Sequence, residues 1–337
     1  MLELRNKTPF EAIIAPAMDK DCNEFIVLVV KATYEIANTQ EALKLADEQV
    51  PILLADEYFD EPDVSSIKSA ADTAMSKCGT DILLEGSAYN IHGTGYVDTF
   101  LRVGPVGKQI RVFGNRHWEK LYGGWQMSMP EKFDTMPMIF ENAYGGIEQS
   151  DAEGLKKYDD RNPVGKGFYQ RKDERGLEGF SLPNLEDPRQ LISNWRDKVM
   201  PMAYGPVAPH WAPRKTFSGT YDQHWEKTRK PYLPQDFNDK YFSVASNDLI
   251  SPKYLQGGEL VEFRNLSPQG QDQFLLPTQK FNLRYSMKRT SHDAPPMNLD
   301  TVVIKPEENI ISLTWRTKIP CNRQFLYCDW ISLKMVP

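Results

Sequence analysis

From about residue 143 to residue 255 the chain almost lacks alternating apolar residues, yet Trp195, Trp211, Trp225 and many Tyr and Phe stand among its glycines and prolines. A disordered linker is poor in aromatics. A large apolar side chain left in water forgoes about 1.5–3 kcal/mol of burial. The segment is therefore expected to be ordered, as long loops packed against other parts of the fold. Such loops need internal ties, because most connections in compact domains run only about 4–6 residues. Regular structure elsewhere must supply the surface on which they lie.

That surface reads as β. Residues 25–34 (FIVLVVKATY) are rich in β-branched and aromatic side chains, and their opening apolar run suits a central strand. Residues 82–89 (ILLEGSAY), 96–103 (YVDTFLRV) and 109–113 (QIRVF) follow, with Gly-containing turns between them, and read as an antiparallel meander. Near the other end, 259–263, 281–285, 301–304, 310–315 and 325–334 repeat the habit, with 306–309 as a hairpin turn. Helix signals are few. Residues 39–47 place Ala42, Leu43 and Ala46 on one helical face, and 65–75 offer Ser65 and Ser66 as caps. The 24 prolines and 21 glycines oppose a helical bundle.

The expected fold is mainly β: antiparallel sheets, sandwich-like or in two packed β subdomains, with a long irregular central region and few short helices. Three regions follow, an N-terminal β region (1–142), a loop-rich aromatic region (143–255) and a C-terminal β region (256–337), within one continuous domain.

Charge narrows the partners. With 40 Lys and Arg against 46 Asp and Glu, the net charge is −6, which disfavours nucleic acid. The start, MLELRNKTPFEAIIAPAM, has no basic head followed by an apolar run, so no secretory signal is read. The apolar run Phe25 to Val30 is far shorter than the ~20 residues a membrane helix needs. A cytoplasmic location is expected. Cys22, Cys78, Cys321 and Cys328 form no CxxC pair and are expected to be reduced and mostly buried.

Recognisable catalytic signatures are missing. There is no GxxxxGK[ST], no GxGxxG entering a helix and no GxSxG. His92-Gly93-Thr94-Gly95 lies between two strand-like runs and reads as a hairpin turn. His92, His117, His210, His224 and His292 show no metal-ligand spacing, so neither a metal nor a cofactor is expected.

What stands out is a series of dense loop strings. NPVGKGFY contains Asn162 and Gly165; AYGPVAPHWAPR contains His210, Trp211 and Arg214; GTYDQHWEKTRKPYLPQDF contains Tyr221, Trp225, Arg229 and Asp236. These nine residues are the candidate interaction or structural signature. In one reading, Arg and Asp satisfy loop amides and carbonyls while Trp and Pro pack the loops down. In the other, an Asp–His–Arg set beside Trp platforms lines a cleft.

In order, the strings resemble the bacterial domain-of-unknown-function family number 2169, from about residue 25 to 280. The resemblance starts at Lys31-Ala32-Thr33-Tyr34 and Glu48-Gln49, then runs through Asp72, Lys77, Thr80-Asp81 and Gly86. Phe113-Gly114-Asn115-Arg116 with Trp118 is similar to the family's Gly-Asp-Arg-x-Trp element, Asn115 replacing the acid. Pro130, Phe133, Met136-Pro137 and Ala143-Tyr144-Gly145-Gly146 follow. NPVGKGF, LPNLEDP, the Trp211 to Arg214 stretch, GTYD with Trp225, and LPQDF complete it. Ser246 stands where the pattern has a proline, and the last 50 or so residues match poorly.

Members of that family are encoded beside type VI secretion effectors and spike proteins. The resemblance implies a cytoplasmic, non-enzymatic adaptor or chaperone that binds a type VI effector, a toxin, and assists its loading. A PAAR-domain or VgrG spike protein is the second partner it suggests. The alternative is a carbohydrate-active hydrolase or sugar-binding protein using Asp222 or Asp236 with His210.

Overall fold

The apolar run that opens at Phe25 is buried on both faces, which is why it does not alternate. In the computed structural model, which describes residues 2–37, 42–149, 156–171, 173–321 and 324–336, it forms the strand Glu24–Glu35. Ile26, Leu28, Val30, Ala32 and Tyr34 enter the main apolar core, while Phe25, Val27 and Val29 pack on the other face with Ile52 and Met75. Strand accounts for 41% of the chain and helix for 7%, so the mainly β expectation holds.

Fifteen strands build the three larger sheets among the described residues. The N-terminal region gives β1 (Glu3–Asn6), β2 (Glu11–Met18), β3 (Glu24–Glu35), β4 (Thr80–Leu84), β5 (Tyr96–Val103) and β6 (Val106–Phe113). The central region adds two short strands to these sheets, β7 (Leu185–Glu186) and β8 (Ile250–Ser251). The C-terminal region gives β9 (Leu260–Arg264), β10 (Gln271–Leu275), β11 (Lys280–Met287), β12 (Thr290–Asp293), β13 (Asn298–Lys305), β14 (Ile310–Pro320) and β15 (Cys328–Val336).

The six-stranded sheet runs β8-β4-β13-β14-β3-β2, the five-stranded sheet β7-β6-β5-β9-β10, and the four-stranded sheet β1-β15-β11-β12. Neighbours are antiparallel except β4 with β13 and β1 with β15. Those two parallel pairs join distant parts of the sequence, placing Thr301 opposite Asp81 and Glu3 opposite Trp330. Side chains of all three sheets meet in one core. Phe10 and Phe281 pack on Trp315 with ring centroids 6.3 and 5.4 Å away, and Leu101, Ile110, Val261 and Phe263 join from the five-stranded sheet. Trp211 and Tyr204 of the central region enter the same core.

Other central aromatics gather separately. Tyr144, Tyr169, Leu177 and Leu182 form a second cluster with Trp118 of the N-terminal region, and Phe180 and Trp195 pack against it. The Tyr169 ring stands edge-on to Phe180 at 5.2 Å and to Trp195 at 5.4 Å. The central loops therefore pack partly on the sheets and partly on one another.

Several local expectations are corrected. The meander over 82–113 shrinks to the β5–β6 hairpin, because β4 lies in the six-stranded sheet and Ser87–Tyr89 pairs with Thr135–Pro137. The Gly-x-Gly turn at residues 92–95 consequently links strands of different sheets and closes no hairpin. Residues 306–309 do close β13–β14, with the Asn309 amide donating to Pro306 O and Asn309 at φ 56°.

Neither proposed helix is present among the described residues. In the 39–47 candidate, residues 39–41 lie outside the described residues. The rest runs extended beside β3, Leu45 bridging Tyr34 and Ala46 N–H donating to Thr33 O. In the 65–75 candidate, residues 67–69 alternate buried, exposed, buried as a strand, Ile67–Ser69. Ser66 is drawn off to Glu141 through its amide and hydroxyl, both at 2.7 Å. Of the cysteines, all free, Cys321 and Cys328 are buried, Cys22 is half-buried and Cys78 is exposed.

Candidate functional site

The signature strings dock on one another in pairs. Gly114-Asn115-Arg116 meets LPNLEDP: the Arg116 guanidinium donates to Glu186 and to Pro183 O and covers the Phe113 ring at 3.6 Å. Glu186 also accepts the Ile192 amide at 2.7 Å. Burial pushes the Glu186 carboxyl up, against the opposing pull of Arg116. Ala143 to Gly146 meets NPVGKGF through a two-residue parallel ribbon, Tyr144–Gly145 with Lys166–Gly167. Asn162 Nδ2 donates there to Phe140 O at 2.8 Å and Tyr144 O at 2.9 Å. GTYD meets LPQDF, with Asp236 accepting the Thr220 amide at 3.0 Å and its hydroxyl at 2.8 Å.

The earlier signature residues converge on the face of the six-stranded sheet turned away from the main core. Lys31 pairs with Asp72 at 2.9 Å and Lys77 with Asp81 at 2.8 Å, all four buried. Asp72 further accepts the Leu53 amide, and Asp81 accepts the Val244 amide. These charges hold the irregular cover of that face in place. Each lies where burial makes an unpaired partner expensive.

The nine candidates separate accordingly. Asn162, Trp211 and Arg214 are buried, and Gly165 is half-buried in the ribbon knot. Trp211 stands edge-on to Phe140 at 5.4 Å. Arg214 donates to Tyr241 O at 3.1 Å and Val207 O at 2.5 Å, and burial lowers its pKa from the ordinary value. His210, Tyr221 and Asp236 are exposed, while Trp225 and Arg229 are half-buried. Asp222 does not face a cleft partner; its Oδ1 caps the short helix α1 (Gln223–Thr228) by accepting the Trp225 amide at 2.8 Å. The structure thus brings Tyr221, Trp225, Arg229 and Asp236 into one lobe and leaves His210 outside it. Among the described residues no group of three His, Cys, Asp or Glu side chains is arranged to hold a metal.

That lobe sits on the β2–β3 hairpin. Arg229 donates to Lys20 O, and Lys20 Nζ donates to Gln235 O at 3.3 Å. Tyr221 and Tyr232 stay 54% and 46% exposed, with Tyr221 edge-on to Trp225 at 4.7 Å. The same hairpin borders a groove of about 540 Å³, lined by Pro16, Met18, Phe25, Phe325, Leu326 and Tyr327 among others. Leu326 is 91% exposed and Tyr327 57%. Exposed apolar side chains therefore meet the hairpin from both the lobe and the groove.

Sequence reasoning found the lobe and missed the groove. One signal was present: Pro16 inside the apolar stretch EAIIAPAM, since proline within a strand-like run marks an edge.

The sequence profile of one family, described as uncharacterized protein conserved in bacteria, matches residues 21–316. The chain belongs to DUF2169. The match passes residue 280 and ends at Arg316 within β14, so less of the C-terminus departs from the family than the sequence reading put outside it. No curated protein and no solved structure matches this DUF2169 chain. Among its described residues no helix is long and apolar enough to cross a membrane.

Proposed function

We propose that this DUF2169 protein is a cytoplasmic adaptor that binds a type VI secretion effector and assists its loading onto the PAAR/VgrG spike. The family resemblance supplies the class of cargo. The observation that carries a binding role is the apolar surface around the β2–β3 hairpin, where Tyr221 and Tyr232 stand on one neighbouring element and Leu326 and Tyr327 on another. Aromatic anchors of this kind dominate interface energetics. An adaptor holding cargo before firing has use for exposed apolar surface that the cargo covers. The buried signature strings fit a supporting part in this reading: they fix loops that carry the surface and do not touch the cargo.

The test is a pull-down of the tagged full chain from its native cytoplasm, with bound proteins identified by mass spectrometry. One dominant toxin-like or PAAR-type partner supports the adaptor. A clean monomer, with the secretion system expressed, sinks it.

A further inference from the structure

We propose that the free edge of β2 receives an extended segment of the cargo, which adds to the six-stranded sheet as a further strand. This rests on the adaptor reading and specifies how the cargo is held.

The register decides which backbone groups are free. Asp19 N–H donates to Asn23 O at the mouth of the hairpin, and β2 pairs with β3 in unbroken register, Met18 opposite Glu24 through Glu11 opposite Lys31. Hydrogen-bonded pairs alternate in an antiparallel ladder. Ala17, Ala15 and Ile13 therefore bond inward to β3, and the N–H and C=O groups of Ala12, Ile14 and Met18 point outward. Pro16 falls on the outward set, where its missing N–H breaks no bond of the ladder. Among the described residues no hydrogen bond outside the ladder reaches these outward groups.

Donors and acceptors repeated every second residue, about 6.8 Å apart, match the backbone of an extended strand. Sheets usually guard such edges with charge, proline or brevity. The other edges here follow that rule: β7 and β8 have two residues each, β1 reads ELRN, β10 reads QDQFL and β12 reads TSHD. β2 is eight residues long, carries no charge from Ala12 to Met18 and has Pro16 as its guard, which leaves Ala12 to Ile14 open. At Pro16, where the donor row is interrupted, the apolar groove with Phe25, Leu326 and Tyr327 begins. The fitting cargo segment is a short strand along Ala12 to Ile14 followed by an apolar side chain for the groove.

The test uses the full chain as bait, unaltered and as Ile14→Pro, with the toxin or spike protein recovered by the unaltered chain as the probe. Ile14→Pro removes an outward donor and no ladder bond. It is expected to reduce recovery about tenfold, the scale of one good hydrogen bond with its neighbours disturbed, with some loss of Tm because the Ile14 side chain packs on the main core. Amide hydrogen exchange on the unaltered chain decides independently, including the case where Ile14→Pro lowers Tm. Ala12 and Ile14 amides should exchange freely alone and be protected in the complex. Full recovery by a folded Ile14→Pro, with those amides still exchanging, overturns strand addition and leaves the adaptor standing. Protection of the edge by a second copy of this chain also overturns it. Failure of the unaltered chain to recover any toxin or spike protein removes both readings.

Discussion

Lys31 Nζ lies 2.9 Å from Asp72 Oδ2, and the two side chains are 6% and 8% exposed. They join a central strand to the loop covering it. The same carboxylate accepts the Leu53 amide at 2.9 Å and the Thr314 hydroxyl at 3.2 Å. Asp72→Ala leaves a buried ammonium without its counter-charge, and the expected loss is about 3–5 kcal/mol. Adding Lys31→Met should recover part of it, because the orphaned charge is then gone. Chemical denaturation of both variants checks the pair.

Trp211 and Tyr221 should behave oppositely. Trp211 is 1% exposed and packs on Phe140, so Trp211→Ala should lose about 3–5 kcal/mol. Tyr221 is 54% exposed, so Tyr221→Ala should leave Tm nearly unchanged while weakening capture of the partner. An equal loss of Tm at Tyr221 returns that residue to a packing role.

The ribbon knot tolerates no added carbon. A Cβ at Gly165 would stand 2.3 Å from Asn162 Nδ2 and 2.6 Å from Ala143 O, and one at Gly145 would stand 2.1 Å from Asn162 O. Gly165→Ala is expected to destabilise by at least the 1–3 kcal/mol (roughly) typical of overpacking. Thermal melts followed through tryptophan fluorescence measure it.

Acid should loosen the second aromatic cluster. Burial pushes the Asp197 carboxyl up, but bonds from the Ser193 and Asn194 amides and the Ser193 hydroxyl outweigh it, and the net pKa lies below the ordinary 3.8. A carboxyl lowered by folding adds stability that is complete above its unfolded pKa and lost as pH falls through the folded one. The 193–197 loop, which carries Trp195, should therefore hold above about pH 4 and loosen below it. Trp195 emission against pH reads this, and Asp197→Asn should shift the spectrum at neutral pH.

The strands were legible where side-chain pattern and burial agree. The strands β3, β5, β11 and β14 fall where apolar, β-branched runs place them, since each lies in or against the core. The helix candidates failed for a definite reason: Leu45 and Ile67 satisfy their backbones by pairing with extended neighbours, and a helical face in the sequence says nothing about such neighbours. The short helix α1 passed unnoticed although Asp222 caps it and Pro231 lies soon after its end. In the candidate site, Tyr221 and Trp225 were readable as aromatics in a loop lobe. Leu326 and Tyr327 were not, because residues 325–334 read as strand and the first turn of that run is instead the 3-10 turn Phe325–Tyr327, which leaves both exposed.

By itself the sequence determined that this chain is mainly β, that its central aromatics are packed, and which family its strings resemble. Those properties follow from local pattern and composition, which one strand or loop carries alone. Tertiary structure decided the rest. It showed that Arg116 answers Glu186 across 70 residues and Lys31 answers Asp72 across 41. It also showed that β4 lies beside β13 and that β2 is left as a bare edge. Pairing between distant strands depends on which face each buries and which partner completes its hydrogen bonds, and neither is written within a single segment.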